Sequence, residues 1–379
     1  GIRIAGSSAQ TADGYRGIAL WGDESGFNIS NEYQFLSNSG PIEFLSRIDS
    51  INSQIGFWSD TYLGQRKDEA PVQGVVPIVG SSNVRAVFRA DSWVSFSDSV
   101  YGSGSIEVYP YKSGQTIGIN STSDFEVWYL DNLADTFSSM TIGDEANTDG
   151  ITSSVAFSVQ SPITLKAGDG PLAFAETVTT TDDDVTFQVS ANSSVVGLDL
   201  GAGGIIKNGS GKLSLSGVKS FAGDTTVNAG TLESVGAAMS SAVAVSAGAT
   251  YEIDLVSASD TATYSKIISG EGSFVKSGAG DLTFDQVHTY SGSTTISGGE
   301  LKTTSTGSLS SSTALSVSSG ATYELGSDEE VASIAGEGSV DLGEHQLTAG
   351  GLGTDTTFGG VISGTGGLRK IGGGTLTFS

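Results

Sequence analysis

The sequence predicts an all-β chain wound as a parallel β-solenoid, and three observations carry that expectation. A glycine-punctuated phrase returns three times in the C-terminal half, apolar residues alternate with polar ones in short runs, and no stretch there holds a helical period over two turns. The phrase has the frame G-x-G-x-x-x-K-x-G-x-G-x-L-x-[LF]. Its glycines stand at Gly201, Gly203, Gly209 and Gly211, then at Gly270, Gly272, Gly278 and Gly280, then at Gly364, Gly366, Gly372 and Gly374. Self-similarity of this kind marks units that stack to share one core.

From the N-terminus, residues 1–200 are less periodic but similar in character. Alternating runs at Gly14–Leu20, Asn83–Phe88, Ser92–Phe96, Gly104–Val108 and Val185–Val189 each predict a short strand with one buried face. The segment Gln65–Pro71 reads as a charged loop, a protrusion from the coils. Trp128–Phe137 is the one candidate helix, with Leu130, Leu133, Ala134 and Phe137 on one face. Aromatic residues crowd this first part, and all four tryptophans lie in it.

Residues 201–379 are regular. The phrase beginning at Phe221 recurs at Tyr290, and the opening phrase moves from Gly201 to Gly270, so both shift by the same interval. A third phrase, Val245–Ile253, recurs at Val317–Leu325 after a nearly equal interval. These offsets set units near 201–269, 270–335 and 336–379, the last one truncated. With about 20–25 residues per coil, a unit of this length is about three coils stacked about 4.8 Å apart. Glycine at corners allows positive φ without steric cost. Inward Val, Leu, Ile and Phe stack between coils, each burial contributing about 1.5–3 kcal/mol, and outward Thr and Ser are expected on the faces.

Composition excludes several functions. Seventeen basic against 42 acidic side chains give a formal net charge of −25, which repels nucleic acid and anionic membrane. Cysteine is absent, which removes disulfides, zinc–thiolate sites and cysteine nucleophiles together. No apolar run is long enough to span a bilayer, so direct membrane insertion of this segment is not expected. The chain opens Gly-Ile-Arg-Ile without Met and stops within a repeat, and so reads as a segment of a longer polypeptide.

The repeat frame, followed by Y-x-G-x-T-x-[VI]-x-x-G-x-L from Tyr290 to Leu301, resembles the passenger-associated transport repeat of bacterial autotransporters. The junction departs from that family's Ser-Gly-x-Asn-Thr-Tyr, being Ser216–Phe221 in one copy and Asp285–Tyr290 in the other. The middle of the chain, at Gly102–Val108, Ser113–Gly118, Leu133–Gly143 and Pro162–Gly168, is similar to filamentous-haemagglutinin-like two-partner-secretion exoproteins. Both resemblances imply a right-handed parallel β-helix in an elongated rod, exported through an outer-membrane barrel as an adhesin or biofilm-matrix protein. The implied partners are extracellular polysaccharide or a host or neighbouring-cell surface. A polysaccharide-active β-helix enzyme and a pure spacer remain the alternatives.

Chemistry-bearing residues are few. Only His288 and His345 are present, each where its repeat has drifted, and both are expected on the surface. No cofactor is expected. Asp182, Asp183 and Asp184, with Asp328, Glu329 and Glu330, are the candidate Ca²⁺ ligands, against the simpler reading of solvated acidic turns; Asp144 and Glu145 form a third, smaller cluster. Thr225–Thr226, Thr294–Thr295 and Thr356–Thr357 recur once per repeat rather than once per coil, too sparse for a crystal-binding array. Trp21, Trp58, Tyr62, Trp93 and Trp128 are the candidate ligand contacts, since exposed rings stack on sugars and on protein partners. Consecutive residues point to opposite faces of a strand, so one of Trp128 and Tyr129 is expected to face solvent.

Overall fold

The structure, a computed structural model, describes residues 104–379 apart from 111, 134–136 and 147. Before residue 104 it describes a series of short strands by their backbone course, together with the buried side chains of Phe88 and Val94. Gly14–Leu20 and the Gln65–Pro71 loop lie outside the described residues. The chain divides into two compact units, Gly1–Gly203 and Gly204–Ser379.

In the first unit alternation becomes parallel pairing. One sheet runs through Ile2–Ala5, Ile42–Leu45, Arg85–Ala90, Ser105–Pro110, Ser139–Ile142, Ile163–Lys166 and Val185–Gln188, each strand parallel to the next. Ser105–Pro110 alternates part-buried and buried along its length, as a half-buried strand must. Register then places Ile106 on Met140 on Ile163 on Val185, all buried, and every coil adds a rung to one core column. A second sheet takes in Gly26–Ile29, Gln54–Phe57, Trp93–Phe96, Phe125–Trp128, Gln115–Ile119, Thr148–Ser153, Leu172–Thr180 and Ser193–Gly201.

Coil length varies in this unit. The steps from Met140 to Ile163 and from Ile163 to Val185 are nearly equal, whereas the step from Ile106 to its partner Met140 is half as long again. The longer coil holds an additional strand, Phe125–Trp128, inserted between Trp93–Phe96 and Gln115–Ile119. The expected helix at Trp128–Phe137 is not formed. Trp128 ends that strand, and among the described residues that follow a single 3₁₀ turn, Leu130–Asn132, is formed, Ala134 lying outside the described residues. The apolar spacing that suggested a helix instead puts Leu130, Leu133 and Phe137 into the core from irregular backbone.

The second unit winds more evenly. Steps such as Ile205 to Thr225, Thr225 to Val243, Thr250 to Ser273 and Ala314 to Ser333 are similar in length, and all are shorter than the Ile106–Met140 step. The core of this unit is strongly aromatic. Tyr251 and Phe274 are register partners with ring centroids 6.0 Å apart, Tyr264 and Phe284 pair likewise at 6.1 Å, and Phe274 and Phe284 meet at 5.1 Å. Offset and tilted rings at these distances add to simple burial.

The repeat does not keep to one face of this unit. Three turns carry Ile205 through Thr225 and Val243 to Ile268, but the counterpart of Ile205 in the second copy is Phe274, further along the chain. The repeat interval therefore overshoots the winding, and the second copy starts on the next sheet, with Ser273–Ser277 pairing to Thr250–Asp254. The third, Gly367–Lys370, lies on a further sheet beside Gln346–Ala349. What repeats is a corner with a strand on either side, usable at any corner of the coil.

Candidate functional site

The glycines of the frame divide into two kinds. In each Gly-x-Gly pair the first has positive φ: Gly201, Gly209, Gly270, Gly278, Gly364 and Gly372 lie between 57° and 102°. In five of the six pairs the second is required by close approach of the neighbouring coil. A Cβ on Gly272 would stand 2.3 Å from Val245 Cγ1 and 2.6 Å from the Ser246 carbonyl oxygen. Gly203, Gly280, Gly366 and Gly374 are closed off in the same way by carbonyl oxygens of Asp183, Asp260, His345 and Thr354, and Gly211 turns its own carbonyl onto Gly230.

The lysine of the frame, a residue type usually found on the surface, lies inside in the first two copies. Lys207 shares strand parity with Ile205 and is fully buried. Its Nζ donates to the carbonyls of Asn208 (3.1 Å), Gly209 (2.8 Å) and Ala229 (3.0 Å). Lys276 repeats the arrangement with Ser277 (2.8 Å), Gly278 (3.2 Å) and Gly298 (3.1 Å). Two acceptors lie in the lysine's own corner and the third lies in the corner of the next coil, so the ammonium ties two stacked coils together. Burial pushes Lys207 down to about 8, which leaves it charged at neutral pH. Lys370 is exposed and meets two such carbonyls, those of Ile371 and Gly372. The signal available in sequence was parity, a lysine two residues from an inward isoleucine or phenylalanine.

The acidic clusters do not converge. Asp182, at φ 65°, accepts the Ala202 N–H on Oδ1 at 2.7 Å and so fastens the next corner, while Thr180 donates to the Asp183 carbonyl. Asp328 accepts the Gln346 N–H at 2.8 Å; Glu329 is buried and Glu330 exposed, pointing apart as neighbours in a strand do. Asp144 shares a turn with Thr148. Among the described residues no three acidic or histidine side chains are grouped as a metal site requires.

His288 corrects an expectation, for it is buried, at 2% exposure. Its Nδ1 accepts the Ile268 N–H at 3.1 Å, and its ring lies edge-on to Phe284 at 4.0 Å beside Tyr264 and Tyr290. The drifted junction fills the core rather than the surface, and burial pushes the imidazole down to about 4. Glu329 shows the opposite shift, with burial raising its carboxyl to about 7 within reach of the Tyr323 and Thr303 hydroxyls and the Leu309 amide. The first threonine of two of the Thr–Thr pairs also turns inward, against the expectation of outward ladders. Thr225 bonds Ser241 at 2.9 Å, and Thr294 bonds Thr313 at 2.8 Å.

Of the candidate contact residues, Trp58 lies outside the described residues, and Trp21, Tyr62 and Trp93 are placed by backbone in the strands Trp21–Asp23, Thr61–Leu63 and Trp93–Phe96. Trp128 is half-buried and its indole donates to Glu126 Oε2 at 3.0 Å. Tyr129, its neighbour, is 50% exposed, with the two ring centroids 6.4 Å apart. Register brings Trp93 opposite Glu126 in the adjacent strand.

Comparison with known proteins meets this geometry at the corners. The family described as Passenger-associated-transport-repeat matches residues 205–233 and 274–302. Each match covers one lysine corner and the same corner of the next coil, including the third carbonyl that the lysine holds. The chain is 35% identical over 179 residues to Adhesin BmaC autotransporter of Brucella suis biovar 1 (strain 1330), an alignment covering 45% of this chain and 5% of that protein. No solved structure matches it significantly. The chain thus carries passenger-associated transport repeats and is a distant homologue of an autotransporter adhesin.

Proposed function

We propose that this chain is a segment of an autotransporter adhesin's passenger, exported through an outer-membrane barrel and held outside the cell, where it serves attachment to other cells, to surfaces or to a biofilm matrix. The observation that carries the reading is the pairing of transport-repeat corners with homology to an adhesin. In this reading residues 201–379 supply regular support, and residues 1–200 carry contacts to extracellular polysaccharide or to a host or neighbouring-cell surface. Aromatic positions, Trp128 first among them, make those contacts, and the segment binds without catalysing a reaction.

The test has two measurements on cells that express the parent protein. Protease added to intact cells should release fragments recognised by antibodies against residues 1–379, and deleting those residues should lower attachment to abiotic surfaces and to other cells. Fragments that stay protected until the cells are lysed would overturn display. Unchanged attachment after the deletion would overturn the adhesive role and leave a spacer.

A further inference from the structure

The enlarged coil between Ile106 and Met140 ends its inserted strand in the left-handed conformation that other corners give to glycine, but here the residue is a tyrosine. Tyr129 is a bulky residue in the left-handed region, at φ 60° and ψ 49°, where side-chain crowding costs free energy. It is locked there, since its N–H donates to Asn120 Oδ1 at 2.8 Å, and Asn120, at φ 47°, donates its own N–H to the Val127 carbonyl at 2.8 Å. The result is a step of two rings. The tyrosine is turned to solvent, and the tryptophan beside it is held by Glu126 through its indole nitrogen.

The surroundings select the chemistry of what would meet this step. Along the chain, residues 113–165 include seven acidic side chains, Asp124, Glu126, Asp131, Asp135, Asp144, Glu145 and Asp149, between the basic residues Lys112 and Lys166 that bound the stretch. Ring faces carry the negative end of the aromatic quadrupole, so the step and its acidic setting favour the same sign of charge. A phosphorylated or uronic polymer would be repelled.

We propose that the Trp128–Tyr129 step is a docking site for lysine and arginine side chains of a basic polypeptide, with Glu126 as the nearest counter-charge. A cation over these rings gains from both, and the charge of the coil raises the rate of encounter. The site names a partner for the adhesive reading and rests on it only in that the partner must meet the segment outside the cell. Binding to the purified chain tests the site without that premise.

The experiment is a calorimetric titration of the full 379-residue chain with deca-lysine at low salt, with maltohexaose as the uncharged sugar probe. Deca-lysine should bind and maltohexaose should not. Tyr129→Gly removes a ring and relieves the left-handed strain, so it folds, and it should weaken deca-lysine about two- to five-fold; adding Trp128→Leu should bring the loss to about tenfold. Glu330→Gln, exposed in the second unit and outside the acidic stretch around the step, should leave affinity unchanged. The proposal fails if the double variant, with an unaltered circular dichroism spectrum, binds deca-lysine as tightly as the parent, because general acidity then explains the binding. It also fails if the parent binds maltohexaose and not deca-lysine. Neither failure touches the protease test of display.

Discussion

At the scale of single residues, the lysines of the repeat set the largest local stakes. An ammonium inside a solenoid is tolerable only when its donors are met, and three backbone carbonyls meet Lys276 from two coils. Replacing it by methionine keeps the shape and deletes the donors. Lys276→Met should destabilise the second unit by about 2–4 kcal/mol, the scale for stranding buried polar groups. Lys370→Met should cost less, because that side chain is exposed and meets two carbonyls. Lys266→Met, at an exposed position, should stay within about 0.5 kcal/mol. Denaturant unfolding measures all three, and equal effects at positions 276 and 266 would remove the inter-coil tie from the account. The positive-φ glycines could be read from the sequence, since a corner is a local event. Gly272 could not be read that way, because what forbids its Cβ is Val245, which only coil stacking brings near. Lys207 was hidden for another reason: lysine is almost always a surface residue, and only its parity with Ile205 says otherwise.

Strands and junctions carry a paired pH response. Buried His288 has its pKa lowered from 6.5 to about 4, so the unfolded chain takes up the proton first, and stability is lost as pH falls from 6.5 towards 4. Buried Glu329 has its pKa raised from 4.5 to about 7, so the folded chain holds the proton longer, and stability is lost as pH rises from 4.5 towards 7, with no further loss above. Each window is worth on the order of 3 kcal/mol, and between pH 4.5 and 6.5 the two slopes oppose. Single variants should therefore uncover mirror-image behaviour relative to the parent. Glu329→Gln should make stability climb with pH across the histidine window, and His288→Phe should make it decline across the carboxyl window. Urea unfolding at several pH values gives both slopes, referenced to the parent so that other carboxylates cancel; parallel curves for all three proteins would disprove the pairing. Strand positions were largely legible, because period-two alternation marks Ser105–Pro110 and Val185–Gln188 directly. The interior polar groups were not. His288 sits in a junction that departs from its family's pattern, and burial there follows from the aromatic neighbours, Tyr264, Phe284 and Tyr290, that the winding supplies.

For the whole molecule the governing quantity is the charge of −25. Parallel stacking sets like residues on top of one another, and acidic ladders result. Glu233 stands on Glu252 with Lys212 bridging both, and burial with these neighbours raises the Asp254 carboxyl. On another sheet burial, Glu324 and Asp281 raise Glu300, while Lys302 pairs with Glu324. Two effects of salt compete here. Screening weakens the Lys302–Glu324 bridge, whose partly exposed side chains make it worth about 1 kcal/mol or less, and reaches the Lys212 bridges less because Glu233 is buried. Screening also relieves self-repulsion among the carboxylates, 42 acidic side chains against 17 basic ones, which destabilises a compact state of high net charge. The second effect should win. Raising sodium chloride from about 20 to about 300 mM, which shortens the Debye length from tens of ångströms to under ten, should raise the unfolding temperature by about 2–5 °C. A calcium salt at matched ionic strength should give a smooth rise without a saturable step, since among the described residues no three acidic or histidine groups come together. Scanning calorimetry across both titrations decides the matter. A fall in unfolding temperature with sodium chloride would mean the bridges outweigh the repulsion, and a saturable calcium step would establish a cation site at the acidic runs.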